Sequence, residues 1–215
     1  ADEIRQRRPL IYQNVRGSRK EIAGGYFMTD SQTVKFEIGP YDHRLPLVVD
    51  PVLSYSTYYG GGGWDTAWGV AVDTNGFVYV AGESMGGLPT TAGTLTNPYQ
   101  GARSHGDAFV AKFNNDASQV IYLAYIGGNL GDVARSLAVD NGGNAYITGW
   151  TESTDFPRKF AIFNTISGLP YPIVGIYPTD AFVTKLGPLG TNLVYSTYLG
   201  GGWVDVGYGI AVDPA

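Results

Sequence analysis

The sequence predicts an all-β protein made of four-stranded antiparallel repeats, on two observations. The first is a set of landmarks that recur in register. Tyr55–Gly61 reads YSTYYGG, Tyr122–Gly128 reads YLAYIGG and Tyr195–Gly201 reads YSTYLGG. Each is followed by an aspartate (Asp65, Asp132, Asp205) and then by a run ending Ala-Val-Asp (Asp73, Asp140, Asp213). The copies lie 67 and then 73 residues apart at every landmark, and DAFVAKF at Asp107–Phe113 returns 73 residues later as DAFVTKL at Asp180–Leu186. A period held across several landmarks marks repeat architecture. The second observation is composition: 31 glycines and 16 tyrosines in 215 residues, with no stretch rich in Ala, Leu, Glu and Lys. Aromatic and β-branched residues favour pleated surfaces, and glycine punctuates them at turns.

Residues 1–50 read as a β-rich segment. PLIYQNV (Pro9–Val15) is expected as a strand, RGSRK as a polar turn, and EIAGGYFMTD (Glu21–Asp30) as a loosely alternating strand. TVKFEIG (Thr33–Gly39) places Val34, Phe36 and Ile38 at a period of two, the mark of a half-buried strand. LVVDPVL then leads into residues 51–215, the repeat region, with a boundary near residue 50.

Two complete repeats follow, Ala67–Ile126 and Val133–Leu199. The first is expected to form strands over Ala67–Asp73, Phe77–Gly82, Asp107–Phe113 and Val120–Ile126, the second over Val133–Asp140, Ala145–Gly149, Asp180–Leu186 and Leu193–Leu199. Asp73–Gly76 is expected as a type I′-like hairpin turn, with Asn141–Asn144 its counterpart. The pieces Glu83–Gly106 and Trp150–Thr179, rich in Pro, Gly, Thr and aromatics, intervene between the second and third strands. An outer strand, Val52–Tyr58, precedes the repeats, and an inner strand, Gly207–Asp213, follows them. Four antiparallel strands with glycine-rich corners describe a β-propeller blade.

These residues resemble a known family. YSTYLGG at Tyr195–Gly201, GYGIAVD at Gly207–Asp213, STDFP at Ser153–Pro157 and DAFVAKF at Asp107–Phe113 are similar to the bacterial SBBP repeat, named for a seven-bladed β-propeller. LPLVVDPVLSYSTYYGG at Leu45–Gly61 looks like the end of the β-rich domain that precedes such repeats. The resemblance implies a large, exported, cell-surface-associated bacterial protein, and it brings no catalytic residues. Two blades and two flanking strands make an incomplete ring. The expectation is therefore a segment of a longer protein, or a chain whose ring other copies complete.

Charge and residue types exclude several classes of function. Residues 1–50 carry eight Lys/Arg against seven Asp/Glu, residues 51–215 six against twelve. An acidic repeat region lacks the clustered positive charge that phosphate contacts need, so nucleic acid is not an expected partner. The RQRR cluster at Arg5–Arg8 reads as a solvated strand end. No run of 18 apolar residues predicts a membrane span. The absence of cysteine removes disulfides and thiolate metal sites, and the two histidines, His43 and His105, lack ligand-spaced partners for zinc. The chain starts without an initiator Met or a signal peptide, as an excised or mature segment would.

Gly82-Glu-Ser-Met-Gly86 matches the G-x-S-x-G nucleophile elbow, but the GLPTTAG that follows does not start a helix, and the second repeat has Gly149-Trp-Thr-Glu-Ser153 there. Ser104-His105-Gly106-Asp107 groups three triad residue types, yet adjacent residues rarely converge on one reacting atom. Calcium is the better metal candidate: Asp73-x-Asn75-Gly76 begins like a calcium loop, although Ser84 stands where its glutamate belongs. Eight of the ten aspartates after residue 50 fall at repeat landmarks, which assigns them to structure, with calcium bridging at Asp65, Asp132 and Asp205 the competing reading. The repeated tyrosines (Tyr55, Tyr122, Tyr195; Tyr58, Tyr125, Tyr198) are expected to pack between blades. Trp64, Trp68, Trp150 and Trp203 fall near loop corners and raise carbohydrate binding as a further reading.

The expected function is thus a non-catalytic extracellular or cell-surface structural or binding module. Its partners would be other blades or copies of itself, extracellular proteins or polysaccharide, with no catalytic, cofactor or metal residues assigned. The alternatives are a part of a larger secreted hydrolase or lyase, or a carbohydrate-binding propeller, with its active site elsewhere.

Overall fold

A computed structural model describes residues 8–29, 34–50, 56–89, 95, 106–166 and 178–213. Among these all regular structure is β, and the chain divides into two compact units, Ala1–Ser56 and Thr57–Ala215. Among the described residues no helix is long and apolar enough to cross a membrane.

The first unit contains β1 (Leu10–Val15), β2 (Ser18–Glu21), β3 (Gly24–Met28), β4 (Val34–Ile38) and β5 (Val48–Asp50). β1 is central, flanked by β2 and β5, while β3 and β4 form a separate hairpin. The RGSRK segment is not simply a turn. Arg16 and Gly17 both adopt positive φ (50° and 80°), the signature of a two-residue type I′ turn, and Ser18 pairs with Val15 to start β2. Gln13, 1% exposed on β1, pins the 42–45 loop. Its amide donates to the carbonyls of Asp42 (2.7 Å) and Leu45 (3.0 Å), and its oxygen accepts the Asp42 amide.

The second unit holds two equivalent four-stranded antiparallel sheets. One runs β6 (Asp65–Val72), β7 (Val78–Ser84), β8 (Asp107–Phe113), β9 (Val120–Ile126), and the other β10 (Asp132–Val139), β11 (Ala145–Thr151), β12 (Asp180–Leu186), β13 (Leu193–Leu199). The four runs expected in each repeat all form strands, and β8, β9, β12 and β13 keep the expected bounds. Each sheet has one register break in its first strand, between Ala67 and Gly69 and between Ala134 and Ser136. Both first strands therefore carry a one-residue bulge at the same repeat position. Glycine opposite the bulge is obligatory: a Cβ on Gly82 would overlap the Thr66 carbonyl oxygen, and one on Gly149 the Val133 carbonyl oxygen.

The sheets stack through a shared core. Tyr79, Val110, Tyr122 and Ile126 on one face of the first blade meet Leu137, Ala145 and Ile147 of the second. Close approach comes at the first strands, where a Cβ on Gly69 would lie 3.1 Å from that of Leu137. The repeat itself measures this packing. Leu137 is 8% exposed, whereas Val70, at the same position of the first blade, is 68% exposed. The opposite face of the first blade carries its own cluster of Leu88, Phe109, Phe113, Leu123 and Tyr125. The propeller blades are present and the ring is not closed.

Three expectations need correction. Gly207–Asp213 forms no regular strand, because a strand is defined by pairing and this segment forms no ladder with another strand among the described residues. It still lies on the second blade, with the Gly207 amide donating to Gly149 O (2.9 Å) and the Ile210 amide to Ser136 Oγ (3.2 Å). The Asp73–Gly76 turn is not type I′, since only Gly76 has positive φ (83°). It is a type I turn closed by a left-handed glycine, and Gly143 (φ 75°) plays that part in the second blade. Tyr58, expected to pack between blades, is fully exposed. Residues 51–55, which include most of the expected outer strand and Tyr55, lie outside the described residues, as do 90–94, 96–105 with His105, and 167–177.

Candidate functional site

Three constellations recur in the blades, two at opposite ends of the sheets and one along the first strands. At the glycine-rich end, an aspartate opens each repeat and accepts a backbone amide four residues upstream. Gly61 N donates to Asp65 (2.7 Å), Gly128 N to Asp132 (2.8 Å) and Gly201 N to Asp205 (2.6 Å). The backbone of the same residue clamps successive repeats, with Asp132 N donating to Gly106 O (2.9 Å) and Asp205 N to Thr179 O (2.8 Å). Hence Asp65, Asp132 and Asp205 each tie a corner. No cluster of three or more metal-ligating side chains occurs among the described residues.

Asp132 is the most buried of the three. Gly127 separates it from Asp107: a Cβ there would sit 2.7 Å from Asp107 Cγ and 2.8 Å from Asp132 Oδ2. Burial, and after it the neighbouring Asp107 charge, pushes the Asp132 carboxyl up to about 7, against opposing hydrogen bonds from Thr151, Gly128 and Ser153. Asp107 and Asp180 are equally buried at the starts of the third strands.

Ser84 belongs to this corner. It ends β7, is fully buried, donates its hydroxyl to Asp65 Oδ1 (2.5 Å) and accepts the Gly86 amide (3.0 Å). A nucleophile elbow puts its serine on a strained strand-to-helix turn. Here the positive φ angles belong to Gly86 and Gly87, not to Ser84, and residues 85–89 are a bend and loop.

At the other end each blade carries an Asp–Tyr–Lys group. Asp73 Oδ1 caps its turn by accepting the amides of Asn75 and Phe77, and Asp140 Oδ1 does the same for Gly142 and Asn144. The second carboxylate oxygen accepts a phenol, from Tyr79 (3.1 Å) or Tyr146 (2.9 Å), and faces a lysine, Lys112 (3.8 Å) or Lys185 (3.4 Å). Burial works to raise the Asp140 pKa, but hydrogen bonds from Asn144, Tyr146 and Lys185 outweigh it and hold the group at about 2. Burial depresses Lys112, with Asp73 opposing. Tyr79 also donates to Gly143 O (3.2 Å), so the first blade's group grips the second blade's turn.

The third constellation is not legible as a motif. The bulge residues are Trp68 in β6 and Arg135 in β10, left without partners in the ladder. The same repeat position on Gly207–Asp213 is Tyr208. A bulge re-aims a side chain, and here the Arg135 guanidinium stacks 4.0 Å over the Trp68 ring. Of the other tryptophans, Trp150 is buried in β11, whereas Trp64 and Trp203 are exposed. Aligning the three first strands would have isolated the Trp/Arg/Tyr position as the one where aromatic and cationic residues replace one another.

Comparison with known proteins agrees with this geometry. A family model described as a beta-propeller repeat, SBBP, matches residues 54–89 and 121–157. The chain carries SBBP repeats. A second model, described as a domain of unknown function, DUF7948, matches residues 1–52. No curated protein matches the chain. The second SBBP match begins in the fourth strand of the first blade, β9, and runs past the second strand of the next, β11, and the first match likewise ends past the second strand of its blade, β7. The family's repeat thus straddles the junction that the corner aspartate clamps.

Proposed function

We propose that this SBBP protein is a non-catalytic, extracellular or cell-surface binding module, in which the blades form a scaffold and exposed first-strand and loop residues meet the partner. One observation carries the reading. The groups that hydrolysis would require are engaged in bonds that the blades repeat: the Ser84 hydroxyl is spent on Asp65, and the corner and turn aspartates hold backbone amides. Chemistry needs a unique site, whereas these arrangements recur. Labelling of the full chain with a fluorophosphonate probe is expected to leave Ser84 unmodified. Labelling that disappears in Ser84→Ala would overturn the non-catalytic reading. Fractionation of the producing cells tests location, with the protein expected in the surface or medium fraction; recovery in the cytosol would refute that part.

A further inference from the structure

We infer that the first-strand position occupied by Trp68, Arg135 and Tyr208 is a binding site for a carboxylate-bearing saccharide, an otherwise neutral oligomer that carries one uronate ring. The inference rests on the reading of this chain as a binding module and names its ligand class.

The argument starts from Arg135. A guanidinium offers five N–H donors, and when partly buried it ordinarily meets a carboxylate or carbonyls. Arg135 Nε is buried without a hydrogen-bond partner, and among the described residues no ion pair involves this side chain. Its contact is the face of Trp68. Stacking fixes the plane of the guanidinium, and since the side chain is half-buried with Nε enclosed, a planar anion would meet its terminal N–H groups. Lys112 and Lys185 differ in this respect, each facing an aspartate of its own blade, while Arg158 and Lys159 donate to the backbone carbonyls of Asn164 and Leu193.

The flanking positions set the ligand's shape. Trp68 is 46% exposed and Tyr208 78%. Tyr208 lies one repeat beyond Arg135, on a segment held against β10 by the Ile210–Ser136 hydrogen bond. An aromatic, a cation and an aromatic thus occupy successive equivalent positions. Amphipathic rings of this kind accept a ligand that presents apolar faces and polar edges, as a pyranose does. The single arginine of this row asks for one isolated negative charge, which a uronate ring carries.

The surrounding charge decides against a polyphosphate. Residues 51–215 carry six Lys/Arg and twelve Asp/Glu, so a densely charged chain would meet repulsion that one arginine does not offset. The bulge supplies the structural reason for the site. It removes Trp68 and Arg135 from the ladder, at the cost of local pairing, in both complete blades. Bulges recur where a side chain is re-aimed for function.

Calorimetric titration of the full chain with an aldotetraouronic acid, a xylo-oligosaccharide bearing a single glucuronate, against neutral xylotetraose, tests the site. The uronate is expected to bind and the neutral oligomer to bind far more weakly. Arg135→Gln should weaken uronate binding by about tenfold or more, the loss of a charge-assisted hydrogen-bonded pair. Arg135→Lys, which keeps the charge but loses the fork, should also weaken it, and Tyr208→Ala should do so without lowering Tm. If Arg135→Gln does not fold, Arg135→Lys and Tyr208→Ala carry the test. Equal binding of both oligomers, no binding of the uronate, or unchanged uronate affinity in the folded variants would overturn the inference. Failure to bind the uronate leaves the non-catalytic reading intact, whereas cleavage of a bound uronate would defeat that reading and leave the site standing.

Discussion

Replacing Asp132 by asparagine isolates what a buried carboxyl does to a blade junction. Asp132 is fully buried, and its pKa rises from 3.8 to about 7 because burial, with help from Asp107, penalises the charge. A raised folded-state pKa means that the folded protein holds the proton more tightly than the unfolded chain. The resulting stability is complete below pH 3.8 and is lost as pH climbs through about 7. That interval corresponds to on the order of 4 kcal/mol. The side chain introduced by Asp132→Asn cannot ionise, yet its amide oxygen can still accept the Gly128 amide and the Ser153 hydroxyl that Asp132 accepts now. At pH 8 the variant should therefore melt on the order of 10 °C above the parent, given the size of the repeat unit. At pH 4 the gap should close to a few degrees (~2–3 °C). Scanning calorimetry of both proteins from pH 4 to pH 9 measures the difference directly. A gap that does not change with pH, or a variant that melts below the parent at pH 8, would show that the ionised carboxylate is needed and refute the reasoning.

Two further outcomes follow from the repeat geometry. Gly149→Ala, which drives a methyl into the Val133 carbonyl opposite the bulge, should cost roughly 3 kcal/mol or more in urea unfolding, whereas Gly25→Ala in the N-terminal hairpin, with open space around its Cβ, should cost well under that. Tyr79→Phe removes the hydroxyl shared between Asp73 and Gly143 and should cost about 1–2 kcal/mol, more than Tyr146→Phe, whose hydroxyl meets only Asp140 and Lys185 of its own blade; equal costs in urea titrations would mean that the grip on the second blade contributes nothing.

Most of the repeat fold can be read from the chain because its landmarks coincide with strand ends. Asp107 and Asp180 open β8 and β12, and the YLAYIGG and YSTYLGG runs close β9 and β13 where the glycine corner begins. Other features are hidden for physical reasons. β2 reads as a turn because the type I′ geometry uses Arg16 at positive φ, where glycine or asparagine would have announced it. The type I turn at Asp73 depends on an aspartate capping its own loop, a choice that Asp-Thr-Asn-Gly does not reveal alone. The first-strand bulge position stays concealed because a bulge adds one residue to a strand and leaves the alternation looking merely imperfect. Trp68, Arg135 and Tyr208 share no residue type, so a search for repeated letters passes over them. The corner aspartates stand out as landmarks, but their unequal burial, which sets Asp132 apart, depends on neighbours that only the stacked sheets supply.

The clamp between Asp132 N and Gly106 O, with its counterpart between Asp205 N and Thr179 O, has a genetic consequence. A unit cut within a blade, between its second and third strands, holds both Gly106 and Asp132, so a tandem duplication of that unit would carry its own splice to the preceding blade. Gain or loss of one such unit changes the number of blades while leaving each remaining seam chemically the same. A cut placed between sheets, where the architecture suggests a natural border, would instead sever the seam. For anyone recombining these genes, the productive crossover lies inside a blade.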